Sequence, residues 1–497
     1  MSHSANRSTG NGIVSGPAAH KLRLLVAIAS YGEKQLELLK RIIRNYKRMS
    51  MEVDVVVVSE ARKDLGAGVE VVVGLPSRNP WTLPFAHKPI FAQRADHYDL
   101  FIYSEDDIGV TESNIQAFLN ATAEVDPQDI AGFVRYEADR SGNWFVNDSW
   151  GPYHWVPESV RRRGAYTIAE ITNEHSGFYM LTQWQLKRAI ASGGFLRGPC
   201  RGRYNWPETA ATDPYTNCGF RKVICISHLD NFLVHHMSNR YVNLLDVSLA
   251  AFREQIQTLL AIEAGTHPAS TLCEVESKRW PWRWPKSYYE KPREDLVEMV
   301  PDDARTVLSI GCGWGATEAR LKQRGIEVTA LPLDSVIGAA AERQGITVVY
   351  GTWDECMASL KGRQFDCVLM TDLLHLRPDT RHTVAQCSQF VAGGGTLVLR
   401  GPNFDRLPWL AQRMLGIGDF VKLRSFDASG FSVDGPRRLA KHVGAAGLRV
   451  TRVKWINHAF GRGLLRGRRI PLGSFTARDW IFQARRSSQP PPLSRSA

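Results

Sequence analysis

Two stretches of this chain carry residues whose types and spacing could do chemistry. In FIYSEDDIGV, Glu105, Asp106 and Asp107 follow directly on a run of apolar and aromatic residues. Three adjacent carboxylates repel one another, and an oxygen-coordinated divalent cation, Mn²⁺ or Mg²⁺, would relieve that repulsion and could bridge to a diphosphate. An exposed acidic turn is the plain alternative. In VLSIGCGWGATEARL, from Val307 to Leu321, an apolar run ends in Gly311, Gly313 and Gly315 before a helical stretch. Glycines at such a turn permit sharp backbone geometry and let a ligand approach closely, because no Cβ intervenes. A tight strand-to-helix turn without a ligand would use the same residues.

Both stretches sit within alternating strand and helix patterns, which predict α/β layers in two regions. The first opens at Leu22 with LRLLVAIASY, a buried-strand run. It is followed by a helix with Leu36, Leu39, Ile42, Ile43 and Tyr46 at helical spacing, then by the strands VDVVVVSE, VEVVVG and DLFIYSEDD. The second opens at Thr306 with TVLSIG and continues through EVTALPL, ITVVYG, FDCVLM and GGTLVLR. Between them, WPWRWPKSYYEKP holds Pro281, Pro285 and Pro292, which forbid a continuous helix. The expected organisation is a loose tail over 1–20, a first domain over 21–265 and an aromatic, Pro-rich linker over 266–293. A second domain spans 294–486, and a loose tail spans 487–497. The linker is expected to pack by its aromatics.

The second region resembles the class I S-adenosylmethionine (SAM) methyltransferases from about Tyr288 to Gln483. YYEKPREDLVEMVP is similar to that family's lead-in helix, IGCGWG to its cofactor loop, FDCVLMTDLLHL to its fourth strand and VAGGGTLVLRGPN to its fifth. FSVDGPRRLAKHVGAAGLRVTRV is similar to a later helix-strand unit. The resemblance implies a Rossmann-like domain with SAM as cofactor, held by Gly311, Cys312, Gly313 and Gly315. Two departures stand out. Pro332 occupies the place of the acid that holds the ribose hydroxyls, with Asp334 two residues on. Thr352 stands where the adenine-contacting acid would fall, with Asp354 beyond it. Asp372 and His375, after the fourth strand, are the candidates for a base that assists a hydroxyl acceptor.

The first region, from about Lys21 to Gly265, resembles glycosyltransferases of the GT-A fold. LRLLVAIASYGE is similar to their first strand and nucleotide-facing loop, VDVVVVSEAR to their second strand, and YSEDDI to their DxD motif. The resemblance implies nucleotide-sugar contacts from Ser30, Tyr31, Ser59, Glu60, Glu105 and Asp106. It implies a metal site built from Asp107 and one of His235 or His236, with His235 preferred. Glu208 is implied as catalytic base, with Asp213 in reserve.

The function these resemblances imply is bifunctional: metal-dependent sugar transfer from a nucleotide-sugar onto a glycan or lipid-linked acceptor, with SAM-dependent methylation. One alternative is a methyltransferase whose first domain only binds a glycan or nucleotide. Another is a non-catalytic scaffold with degenerate cofactor sites.

Composition narrows the class. With 43% apolar and 23% charged residues, and no run approaching the roughly 18 apolar residues of a membrane span, the chain reads as globular and cytoplasmic. Eight cysteines form no CxxC pair, which favours free thiols over disulfides or zinc. The net charge of +12 is concentrated late, with ten Lys and Arg between Arg449 and Arg486 against Asp479 alone. That patch suits an anionic membrane surface at the inner face, through Arg466, Arg468 and Arg469 among others. No nucleic-acid motif accompanies it, so no nucleic-acid partner is expected.

Overall fold

The computed structural model describes residues 21–242, 244, 247–277, 283–418, 423, 425–456 and 473–486. The basic stretch 457–472, with Arg466, Arg468 and Arg469, and both tails lie outside the described residues.

The first α/β region builds a five-stranded sheet in the order Val69–Val73, Glu52–Ser59, Arg23–Ala29, Leu100–Glu105, Phe178–Thr182. The first four strands run parallel and Phe178–Thr182 is antiparallel. Leu24 to Ile28 are fully buried, as near-continuous apolar runs must be in a sheet covered on both faces. Helix Leu36–Lys47 turns Leu39, Ile42, Ile43 and Tyr46 inward, the face its spacing predicts. The register sets Ala29 beside both Val58 and Glu105, so the loops after these three strands leave the sheet side by side. A small sheet of Ile108–Gly109, Leu233–His236, Val134–Ala138 and Trp144–Val146 closes over that end.

The second region forms a seven-stranded sheet in the order Thr347–Val348, Glu327–Pro332, Thr306–Cys312, Phe365–Thr371, Val391–Pro402, Asp479–Arg486, Leu448–Ile456. Strand Asp479–Arg486 is antiparallel to both neighbours. The strand order reverses at Thr306–Cys312, the switch point where open α/β sheets place their ligands. The expected lead-in helix shrinks to Glu294–Val297. Tyr288 and Tyr289 instead run in irregular backbone and are buried.

The two regions share one apolar core. Trp155, Phe252 and Leu259 of the first cluster with Leu272, Tyr288, Leu333, Val336 and Trp353. Each such large side chain contributes roughly 1.5–3 kcal/mol on burial, so the halves hold each other rather than swing. Among the described residues no helix is long and apolar enough to cross a membrane. The eight cysteines are all free thiols.

Candidate functional sites

In the first domain the parallel strands deliver Ser30, Ser59 and Glu105 to one edge. Lys63 ties that edge together, donating from Nζ to Ser30 Oγ (2.7 Å) and to the Gly32 carbonyl (2.6 Å). Glu60 accepts from the Gly32 amide at 2.9 Å. Ser59 is fully buried beneath Glu60, whereas Tyr31 is 57% exposed and free to meet a ligand.

Burial raises the carboxyl of Glu105 to about 7, with Asp107 adding repulsion and Arg135 opposing it. Burial likewise raises Asp106 to about 6, against a hydrogen bond from Ser30. Asp107 behaves oppositely. Burial works to raise it, but its 3.1 Å contact with His236 Nε2 prevails and holds it below the usual carboxylate range. His236 Nδ1 lies 2.6 Å from Glu137 Oε1, and the ring is fully buried. Burial pulls this imidazole down, yet the two carboxylates win and raise it, which favours the charged ring between Asp107 and Glu137.

This arrangement corrects the metal assignment. His235 points the other way, with Nε2 3.0 Å from Asn239 Oδ1 and its ring stacked on Tyr136, because successive strand residues face opposite sides. The histidine at Asp107 is His236, which also contacts Glu137. Among the described residues no cluster of three His, Cys, Asp or Glu is placed to hold a metal. The residues present do not fit the expected cation.

Helix Trp206–Thr216 carries both proposed bases. Glu208 keeps one carboxylate oxygen buried without a partner, and its charge is felt at Glu105. Asp213 is a correction: it is buried in an ion pair with Lys88, itself 2% exposed, and also accepts from Asn217. A carboxylate committed to a buried lysine holds the helix to its neighbour and is not a free base. Composition alone gave no sign of Lys63, of Glu137 or of the buried Arg135–Asp148 pair at 2.8 Å, since each meets its partner only through the tertiary fold.

In the second domain Gly311 (φ +78°) and Gly315 (φ +88°) require glycine by conformation. Their surroundings are protein, however. A Cβ on Gly311 would lie 2.7 Å from Leu373, and one on Gly315 would lie 2.9 Å from Ala341. At Gly313 it would meet the Tyr288 carbonyl at 2.3 Å. Cys312 is buried and turns its thiol to the Gly313 carbonyl. Beside this turn is a small cleft lined by Lys286, Glu290, Cys312, Trp314, Glu318 and Thr371. Lys286 is 2% exposed and reaches Glu290 at 2.6 Å and Thr371 at 3.2 Å.

The other expected cofactor contacts are otherwise engaged. Asp334 is buried, caps helix Ser335–Arg343 through the Ile337 amide, and is raised by burial to about 7. Thr352 caps helix Trp353–Ser359 with Glu355, and Asp354 faces solvent. The nucleoside contacts that the resemblance implies are therefore engaged within the protein, whereas Lys286, Glu290 and Thr371 line a small cleft at the methionine end.

Asp372, held at φ +53°, is ion-paired with Arg400 and lies 3.7 Å from Arg293. Those cations hold its carboxyl below the usual range against burial, so it is a positioned anion and not a proton acceptor. His375 differs. Its Nε2 donates to the Trp284 carbonyl at 2.7 Å, and burial holds the ring below its ordinary pKa. A carbonyl can only accept, so Nε2 carries the proton and Nδ1, buried and unpartnered, keeps a bare lone pair. His375 lines a second small cavity with Thr380, Phe404, Ser432, Asp434 and Leu439. Phe431 stacks on its ring at 6.1 Å.

With this geometry in view, residues 282–453 match the family described as a methyltransferase domain. A ubiquinone biosynthesis O-methyltransferase of Pseudomonas paraeruginosa is 30% identical over 143 residues, covering 26% of this chain and 60% of that protein. An uncharacterized methyltransferase of Mycobacterium tuberculosis is 33% identical over 106 residues, covering 21% and 54%. A SAM-dependent methyltransferase structure from Archaeoglobus fulgidus aligns at 16% identity and a TM-score of 0.30, over 39% of this chain and 90% of that one. The chain spans little more than half the length of the curated relatives it matches. The C-terminal half of the chain carries a class I methyltransferase domain.

Proposed function

We propose that this chain is a SAM-dependent methyltransferase that alkylates a hydroxyl on a planar, ring-shaped acceptor. The observation that carries this reading is His375, a buried neutral imidazole with an unpartnered Nδ1, beside an aromatic-walled cavity at the carboxyl edge of the sheet. When bound, SAM supplies the electrophilic methyl group. The protein's part is to orient the acceptor at the cavity beside Phe404, exclude water, and take the hydroxyl proton on His375 Nδ1. Asp372 stabilises the imidazolium so formed, as its charge already raises the affinity of His375 for a proton. The printed activity of the Pseudomonas relative, O-methylation, supports an oxygen acceptor. Helix Leu407–Leu415 buries none of its residues and presents Leu407, Met414 and Leu415 to solvent, which supports an acceptor carried on a lipid. The test is production of S-adenosylhomocysteine with a panel of hydroxylated aromatic acceptors. Turnover that falls at least a hundredfold in His375→Asn supports the reading. Turnover unchanged in that variant refutes it.

A second reading concerns the first domain, which we propose binds a nucleotide or nucleotide-sugar at Ser30, Tyr31, Glu60 and Asp106. Its support is the parallel strand order with a carboxylate cluster after the fourth parallel strand. Sugar transfer by Glu208 would extend that reading, and a glycan would then be the acceptor. No metal step is assigned to it. Calorimetry with UDP and GDP tests the site: saturable binding lost in Asp106→Asn supports it, and absence of binding removes it. Contact of segment 457–472 with anionic lipid remains part of the same proposal, tested by sedimentation with anionic vesicles.

A further inference from the structure

The nucleoside half of the cofactor cleft is filled by the chain's own residues 267–277, which precede the second sheet. Ser270 O accepts from the Ser335 amide at 2.8 Å, and Thr271 bridges to Asp334 in antiparallel fashion. Leu272 donates its amide to the Leu333 carbonyl and accepts from the Trp353 amide, each at 2.9 Å. These are the ends of the second and third strands, where the methyltransferase resemblance puts ribose and adenine. Leu272 is 2% exposed and Val275 1%, so the segment is seated as firmly as core. Tyr288 completes the closure from the other side. Its carbonyl covers Gly313 and accepts from the Trp314 amide at 3.1 Å, and its hydroxyl is buried without a partner.

A segment whose only task was to join two domains would have no reason to hydrogen-bond the residues that follow both strand ends. Its attachments to the first domain show what holds it. Glu276 forms an ion pair with Arg203, which also binds Glu174 at 3.0 Å. Arg203 lies on the loop entering the helix of Glu208. Glu174 lies in the loop whose Gly177 carbonyl accepts from the Glu105 amide at 2.9 Å. Tyr288 is pinned as well, its amide on the Gly151 carbonyl at 2.8 Å and its ring stacked on His154 at 4.4 Å. The segment that shuts the cleft against the second domain is therefore also anchored on the first.

We infer that residues 267–277 are an internal strap that occupies the nucleoside half of the SAM site, latched by Arg203–Glu276, and that cofactor binding requires its displacement. This rests on the methyltransferase reading above. Release costs the hydrogen bonds at Leu333 and Trp353, which the adenosine replaces, and the latch sets how often release occurs. The geometry makes the coupling reciprocal: whatever shifts the loops of Arg203 and Glu174 changes SAM affinity, and SAM changes the affinity of that ligand by the same factor.

The experiment is calorimetric titration of S-adenosylhomocysteine into the full chain and into Glu276→Ala and Leu272→Gly, with amide hydrogen exchange read at Leu272 and Trp353. Circular dichroism checks that each variant is folded, and Glu276→Ala, which alters no residue in the cleft itself, stands in if Leu272→Gly does not fold. The strap predicts affinity at least tenfold tighter in Glu276→Ala, with faster exchange at Leu272 when ligand is added to the wild type. Affinities within twofold of one another, with both amides still protected in the liganded protein, overturn the strap and leave the methyltransferase reading standing. Absence of binding in the wild type and both variants overturns the methyltransferase reading itself, and the strap with it.

Discussion

Replacing His236 with Gln isolates the charge logic of the first domain. The ring is fully buried and stands 3.1 Å from Asp107 and 2.6 Å from Glu137, with Asn147 also at 3.1 Å. Asp107 is 3% exposed and Glu137 fully buried, so removing the imidazolium leaves two buried carboxylates with no cation between them. Breaking a buried pair in this way costs about 3–5 kcal/mol, mostly from the stranded charge and not from the lost contact. The pH dependence follows from the signs. The folded pKa of His236 is raised, so its stabilisation is complete below the unfolded value near 6.5 and fades as pH rises through the folded value. In the variant, Asp107 and Glu137 become carboxyls that prefer the neutral form, so the variant regains stability as they protonate at low pH. As pH falls from 7.5 to 5 the wild type gains through His236 and the variant through its carboxyls, so a gap is expected at both values and is read most cleanly at pH 7.5, where the variant's carboxylates are charged. Urea unfolding followed by tryptophan fluorescence at the two pH values measures it. A gap below about 1 kcal/mol at pH 7.5 would refute the reasoning, because two stranded buried carboxylates cannot cost so little.

Lys88→Met should lower stability by about 3–5 kcal/mol by stranding Asp213, and Asp213→Asn should also lower it while leaving nucleotide binding intact; thermal unfolding and UDP titration separate the two effects. Asp334→Asn tests the buried cap. With its folded carboxyl raised from 3.8 to about 7, Asp334 favours the fold only when protonated, so its penalty grows as pH rises from 4 to 7, to about 4 kcal/mol. Asn keeps the acceptor for the Ile337 amide, so the variant should match wild type near pH 4 and exceed it at pH 7.5. Arg400→Met should slow methyl transfer more than it weakens S-adenosylhomocysteine binding, since it frees Asp372 beside His375; a kcat unchanged from wild type would exclude that positioning role.

What could be read from the sequence and what could not divide along a physical line. The strand runs at Leu22, Val53, Asp99, Thr306 and Phe365 are written in local periodicity, so the two α/β layers and the glycine turn were legible. The pairing of charges was not legible, because it is a property of the tertiary fold. Asp107 and His236 are separated by more than a hundred positions, as are Lys88 and Asp213, and nothing local distinguishes His236 from His235. Strand alternation settles that choice once the register is known, and it settles it against the residue that the family pattern favoured.

The interdomain stretch shows a deeper limit. Its prolines and tryptophans indicate only that it cannot be a helix, and Trp284 does pack on Phe404 and Trp409 as an aromatic linker should. Its backbone, however, hydrogen-bonds the strand ends that a cofactor would use, and backbone hydrogen bonds leave no trace in composition. The unusual residues at those strand ends acquire a reason in consequence. With Leu272 and Thr271 seated against them, a charged ribose ligand after the second strand would be buried without its partner in the closed form, at a cost of several kcal/mol. Pro332 carries no such charge, and Asp334 lies deeper, where it caps a helix and holds its proton up to about neutral pH. A cleft that is closed by its own chain cannot keep an unpaired carboxylate, so the missing acid and the strap are one feature seen at two levels.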